Sequence, residues 1–190
     1  MPPSETRQAI LSAAITLMGR GGAGALSAAA LAAEVGISKA TVFHHFRSID
    51  EIPVAALDLL TEQGIGMLDF TEGDLASLIA QVGEASFALV AANRGFVTAY
   101  FAFASNALFD AGLRAKLERS LARAKDQFAA VFGPHLADPA QARQLGGIVL
   151  ASLDGLMLQY ALVDNEAELR EAWRRIVSAL AREYGHAHRD

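Results

Sequence analysis

The sequence predicts an all-α protein in two parts: a small three-helix head built around a helix-turn-helix, then a larger helical bundle. Three observations predict it. Alanine and leucine, the best helix formers, dominate a chain that is 53% hydrophobic with only five prolines. Apolar residues recur at helical spacing, most clearly Leu169, Trp173, Ile176, Val177, Leu180 and Tyr184, whereas no strand-like alternation exceeds a few residues. The helical segments are short before about residue 50 and long after it, which sets the expected domains at 1–50 and 51–190.

Each element has its own signals. Ser4 or Thr6 is expected to cap a first helix with Ile10, Ala14, Leu17 and Met18 on one face, stopped by the glycine-rich run 19–24. That run lacks the Gly-Lys-Ser/Thr of a phosphate loop and follows a helical pattern, so it reads as a terminating turn. Ser27 caps a short helix ending near Val35, Gly36 supplies the turn, and Ser38 caps another brief helix. Ser48 to Glu51 reads as a capping box. Longer helices are expected at 48–68, 74–92, 95–108, 113–132, 139–163 and 166–184, with Asn165 and Glu168 capping the last.

Composition excludes several functions. Without cysteine there is no disulfide, thiolate ligand or cysteine nucleophile. No apolar run of signal-peptide type follows the N-terminal residues, so a cytoplasmic location is expected. Residues 145–163 are apolar enough to approach a membrane span, but Asp154 near the centre would cost about 3 kcal/mol there. The segment therefore reads as a buried helix, and no membrane partner is expected. No metal or cofactor is expected either: His44 and His45, adjacent on a helix, point about 100° apart, and no H-E-x-x-H spacing occurs.

The stretch "VGISKATVFHHF", residues 35–46, carries the most specific signal. Two short helices joined by a glycine-containing turn have helix-turn-helix proportions. Leu31, Val35, Ile37, Val42 and Phe46 are expected to share a small core, with Ala32 and Ala33 permitting close approach. That packing turns Ser38, Lys39, Thr41, Phe43 and His44 outward on a helix short enough to enter a major groove, and backbone N–H groups near Ser48 suit a phosphate. The expected DNA-facing set is Ser27, Ser38, Lys39, Ala40, Thr41, Phe43, His44, Arg47 and Ser48.

These residues also carry a family likeness. "LSAAALAAEVGISKATVFHHFRSIDEI", residues 26–52, closely resembles the DNA-binding segment of the TetR family of bacterial regulators, and "TRQAILSAAITLMGRGG", residues 6–22, resembles its first helix and turn. Two departures remove phosphate contacts: the family usually has tyrosine at Phe43 and lysine at Ile49. Residues 1–52 hold four bases (Arg7, Arg20, Lys39, Arg47) and four acids (Glu5, Glu34, Asp50, Glu51). Electrostatic affinity and its salt dependence should be modest.

The resemblance implies a C-terminal domain that binds a small-molecule effector and forms a homodimer. Gly147, Ala151 and Gly155, spaced by four, give one helix a narrow edge for close approach. With Trp173, Ile176 and Leu180 of the striped last helix they form the expected dimer interface. Phe96, Tyr100, Phe101 and Phe103, with Arg94, Asn106, Gln159 and Tyr160, are expected to surround a mainly apolar ligand, Phe87 and Phe109 being other aromatics of this stretch. "LDGLMLQY", residues 153–160, looks like a stretch of some TetR C-terminal domains, including the choline-responsive BetI branch. The basic run Arg114, Lys116, Arg119, Arg123 and Lys125 reads as solvated helix surface.

The expectation is a ligand-responsive transcriptional regulator, a repressor that binds a palindromic double-stranded operator as a dimer and is released by a small mainly apolar molecule. The alternatives are a helical small-molecule enzyme or carrier, for which no nucleophile–base pair, metal motif or cofactor loop is recognisable, and a dimeric adaptor that has lost operator binding.

Overall fold

A computed structural model describes residues 3–66, 73–92, 94–136, 138–163 and 165–185, and all the regular structure in them is helical. In order the helices are α1 (Pro3–Gly21), α2 (Ala28–Val35), α3 (Lys39–His45), α4 (Ile52–Gly66), α5 (Leu75–Ala92), α6 (Arg94–Ala107), α7 (Ala111–Phe132), α8 (Pro139–Leu162) and α9 (Glu166–Tyr184). Short 3₁₀ turns occupy Ala23–Ala25, Ile49–Glu51 and Gly133–His135.

The chain forms two compact units, each drawn from two stretches of sequence. One comprises residues 1–62 and 92–120, the other 63–91 and 121–190. In the first, α1 packs against α2, α3 and α6. Ile10, Ala14 and Met18 of α1 are fully buried, as are Leu31, Val42 and Ile52. Gly95 lets α6 start against the end of α1, because a Cβ there would collide with the carbonyl oxygens of Met18 and Gly19. Val54 of α4 and Phe103 and Ala107 of α6 form a further cluster, flanked by Leu113 and Leu117.

Two polar ties join α7 to the segment leading into and along α4: Lys116 Nζ lies 3.3 Å from Glu51 Oε1, and Ser120 Oγ donates to Asp58 Oδ1 at 2.5 Å. The α6–α7 turn is closed by Arg114, which donates to the carbonyls of Ala107 and Leu108. Asp110 Oδ1 caps α7 through the Leu113 N–H at 2.9 Å.

In the second unit, Phe87 of α5, Phe132 of α7, Leu145 and Val149 of α8 and Trp173 of α9 are essentially inaccessible. Gly146 brings α8 close to α7 at Lys125 and Phe128. Asp74 caps α5, accepting from the Ser77 N–H at 2.9 Å and the Ser77 hydroxyl at 2.7 Å. Arg170 of α9 pairs with Glu166 on its own helix and Glu84 on α5, with its guanidinium 4.8 Å from the Phe87 ring centroid. Tyr160 of α8 donates to Glu166 Oε2 at 2.5 Å and meets Phe87 edge-on. Among the described residues two helices, Leu75–Ala92 and Ala140–Leu162, are long and apolar enough to cross a membrane. Each buries a row of its large side chains, Leu78, Ile79 and Phe87 on α5 and Leu145, Val149 and Leu153 on α8.

Several local expectations need correction. α1 already includes Pro3, so Ser4 and Thr6 lie within it rather than before it, and the Ser4 side chain lies outside the described residues; a missing N–H is tolerated in a first turn. Ser48 does not form a capping box with Glu51. Its hydroxyl oxygen accepts from the Asp50 N–H at 3.2 Å, because the tighter 3₁₀ turn brings that donor round first, while Glu51 is drawn to Lys116. The regular helix accordingly starts at Ile52 rather than 48, and residues 67 and 68, expected at its end, lie outside the described residues. Asn165 makes no side-chain cap; its amide nitrogen lies 3.4 Å from Glu168 Oε2. Ala33 is exposed, so only Ala32 serves the close approach of α2. Phe109 is 89% exposed at the α6–α7 turn, far from a core role.

Candidate nucleic-acid interface

The outer side of α3 follows from its caps and its shortness. Ser27 Oγ accepts from the Ala30 N–H at 3.1 Å, opening α2. Gly36, at φ 75°, takes the left-handed conformation that ends α2 without the strain a Cβ would bring. Ser38 Oγ then accepts from the Thr41 N–H at 3.0 Å and shares a 2.9 Å hydrogen bond with the Thr41 hydroxyl. Of the seven residues of α3, only Val42 is buried, completely so, against the α2 side. Phe46 leaves the helix in extended conformation, 2% exposed, with the Arg7 guanidinium 5.0 Å from its ring centroid.

With Val42 and Phe46 committed inward, Ser38, Lys39, Ala40, Phe43 and His44 are exposed together, Phe43 by 51%. Thr41 is half-buried through its bond to Ser38. Ser27 and Arg47 are also exposed, and Ser48 is half-buried in its turn. His44 and His45 stand edge-on with ring centroids 5.2 Å apart. This side offers hydroxyls, one ammonium, one imidazole and an aromatic ring on a rigid, doubly capped rod.

The residues expected to hold a ligand are divided between the two units. Arg94, Tyr100, Phe101, Phe103 and Asn106 lie in the first unit on α6, with Phe96 on the same helix and its side chain outside the described residues; Gln159 and Tyr160 lie in the second unit on α8. Tyr100, Phe103 and Tyr160 are buried, whereas Arg94, Asn106 and Gln159 are exposed. Phe103 and Asn106 do come together, lining a cavity of ≈ 140 Å³ with Ala99, Ala102 and Leu113 and with Leu26, Ile49, Asp50 and Pro53. The last four had no sequence signal pointing to a cavity, since they are scattered over turns and a helix start. The Arg170–Glu84–Glu166–Tyr160 network was missed likewise, for Glu84 stands 86 residues from Arg170 in sequence.

The expected interface residues also divide. Gly147 is half-buried, and Ala151 and Gly155 are exposed on α8; exposed Ile148, Leu158 and Leu162 continue that side. Trp173 and Leu180 are 1% and 9% exposed, so they belong to the interior of their own unit, and Ile176 is half-buried. Trp173 packs its indole directly on Gly83 of α5, where any Cβ would overlap the ring.

One carboxyl in this region has a shifted titration. Asp154, on α8 beside the exposed stripe, is raised from 3.8 to about 6 because burial disfavours its charged form.

Comparison with known proteins agrees in both halves. The profile described as "Bacterial regulatory proteins, tetR family" matches residues 10–56, and that described as "BetI-type transcriptional repressor, C-terminal" matches residues 76–185. No curated protein matches the chain in sequence. Among solved structures, a transcriptional regulator from Rhodococcus sp. Rha1 is 21% identical with a TM-score of 0.66, over 97% of this chain and 98% of its own. A TetR-family member from Streptomyces coelicolor is 28% identical with a TM-score of 0.58, over 90% and 97%. A Saccharomonospora viridis protein described as a transcriptional regulator, in complex with choline, is 20% identical with a TM-score of 0.63, over 94% and 96%.

Proposed function

The chain belongs to the TetR family of bacterial transcriptional regulators, and from that premise we propose that it is a cytoplasmic repressor which binds a palindromic operator as a homodimer and releases it when a small, mainly apolar molecule binds. As a family member it is a ligand-responsive DNA-binding regulator rather than an enzyme. In the proposed division of labour residues 1–50 read DNA, while residues 51–190 bind the effector and form the dimer.

The observation that carries the reading is the outer side of α3. Ser38, Lys39, Ala40, Phe43 and His44 are exposed while Val42 and Phe46 anchor the rod from behind. Lys39 and His44 are the base-edge and phosphate contacts, Thr41 and Ser38 fix the first turn, and Ser27, Arg47 and Ser48 flank the backbone of the duplex. Phe43 offers an apolar edge suited to a thymine methyl.

Dimerisation uses the exposed side of α8, from Gly147 through Ala151 and Gly155 to Leu158, with Ile176 at its margin. A two-fold interface there would set the distance between two α3 rods. Tyr100 and Phe103 supply the apolar part of effector recognition, and the choline held by the Saccharomonospora relative supports a small organic molecule as the effector class.

Selection of bound sequences from random DNA by the purified chain at low salt tests the reading. A palindrome with half-sites about one helical turn apart is expected; recovery of no preferred sequence, with or without cell metabolites, contradicts it. In parallel, Leu158→Glu should convert a dimer into a monomer in sedimentation while leaving the helical content unchanged.

A further inference from the structure

We propose that the cavity behind the 3₁₀ turn Ile49–Glu51 is a binding site for a small primary ammonium compound, which on binding joins that turn to α6. The inference rests on the regulator reading and adds to it a second ligand, of a different class from the effector and held in part by the head residues Leu26, Ile49 and Asp50. Its walls come from three parts of the first unit: Leu26 and the turn on one side, α6 through Ala102, Phe103 and Asn106 on the other.

Size and chemistry restrict the occupant. The cleft is about half open to solvent and has a volume of ≈ 140 Å³. A molecule of about five to seven heavy atoms is therefore the right size. Most of the lining is aliphatic or aromatic, which suits an alkyl body. Asp50 is the one acidic side chain in the lining and Asn106 the one amide. Ser48 Oγ donates to Asp50 Oδ2 at 3.1 Å, and an ionised carboxylate accepts about four hydrogen bonds in all.

Two nearby cations have other partners. Lys116 is held by Glu51, and Arg114 is turned to the carbonyls that end α6. An ammonium that donates N–H to the Asp50 carboxylate, with the Asn106 side-chain oxygen as second acceptor, matches this lining. A quaternary ammonium has no N–H to give, and an anion would meet Asp50 directly.

The position gives the site its consequence. The turn lies only a few residues beyond α3 and leads into α4, so a ligand gripping both turn and α6 acts on the placement of the reading helix at short range. Ala102 is exposed on α6. A larger side chain there fills the cleft from the solvent side without entering the core.

The test uses the full-length chain free of DNA, with isobutylamine as probe and isobutanol and choline as controls, followed by methyl resonances of Ile49 and Leu113 and by calorimetry. Saturable binding of isobutylamine is expected, at least about tenfold tighter than either control, as a charge-assisted hydrogen bond predicts. Asp50→Asn and Ala102→Phe should each weaken it by about tenfold or more. Ala102→Phe should also remove the effect of isobutylamine on affinity for the selected operator. Absence of saturable binding, equal binding of isobutanol, or wild-type binding by Ala102→Phe overturns the proposal. Operator affinity unchanged at saturating isobutylamine overturns the coupling to α3. Saturable isobutylamine binding by a chain that selects no DNA sequence would instead sink the regulator reading and leave the site standing.

Discussion

The outer side of α3 and the stripe of α9 are both regular helical patterns, yet one faces solvent and the other is interior. α3 has seven residues and buries only Val42; Lys39, Ala40, Phe43 and His44 are exposed, and Thr41 and His45 are half-buried. α9 has 19 residues and a wide apolar stripe, in which Leu169, Trp173, Val177 and Leu180 are all buried in its own unit. The difference teaches that a short, capped helix declares its surface by having so little to bury, whereas a long amphipathic helix declares only that something covers it.

Substitutions on the two helices should break in different ways. Trp173→Ala should have the largest effect, lowering stability by about 3–5 kcal/mol through the cavity left against Gly83, read as the urea midpoint at fixed slope. If it left stability untouched and instead released a monomer, the stripe would be an interface after all. Lys39→Ala and His44→Ala should each cost about 1–3 kcal/mol of operator binding with an unchanged urea midpoint. Loss of stability in place of affinity would make the outer side of α3 structural.

Asp154 sharpens the comparison on α8. Its carboxyl titrates near 6 in the folded chain against an ordinary value of 3.8, so the unfolded chain loses the proton first as pH rises. Stability from the neutral carboxyl is full below about pH 4 and is lost as pH rises through about 6. Asp154→Asn should therefore exceed the wild type by about 1–2 kcal/mol at pH 8, the gap closing by pH 4, in denaturation followed across that range. Asp74 acts in the opposite sense, since the Ser77 hydroxyl and N–H bonds hold its carboxyl below the ordinary value and their benefit fades as pH falls. The smallest effect is Ser38→Ala, about 1 kcal/mol from the lost cap, visible as a lower melting temperature with operator affinity reduced only modestly.

Much of the head was legible because its determinants are local. Ser27, Gly36 and Ser38 each act on backbone groups within a few residues, so their roles follow from order alone. The breaks at 108–110 and 133–135 were legible for the same reason. At Ser48 a distant partner had intervened: Glu51 left the expected capping box for Lys116, 65 positions on. The ligand residues were less legible. Aromatic clustering along α6 was visible, but Leu26, Ile49, Asp50 and Pro53 become neighbours of Asn106 only when the turn packs on that helix.

By itself the sequence determined the helices, the two caps around Gly36 and the family of the first 52 residues, because these depend on backbone chemistry and on spacing over one or two turns. Tertiary structure alone decided which apolar stripe is covered, putting Trp173 on Gly83 and leaving Ala151, Gly155 and Leu158 open. It alone assembled the cleft at Asp50 and Asn106 as well. Burial and cavities are properties of surfaces from remote segments brought together, and periodicity along one segment carries no record of what arrives opposite it.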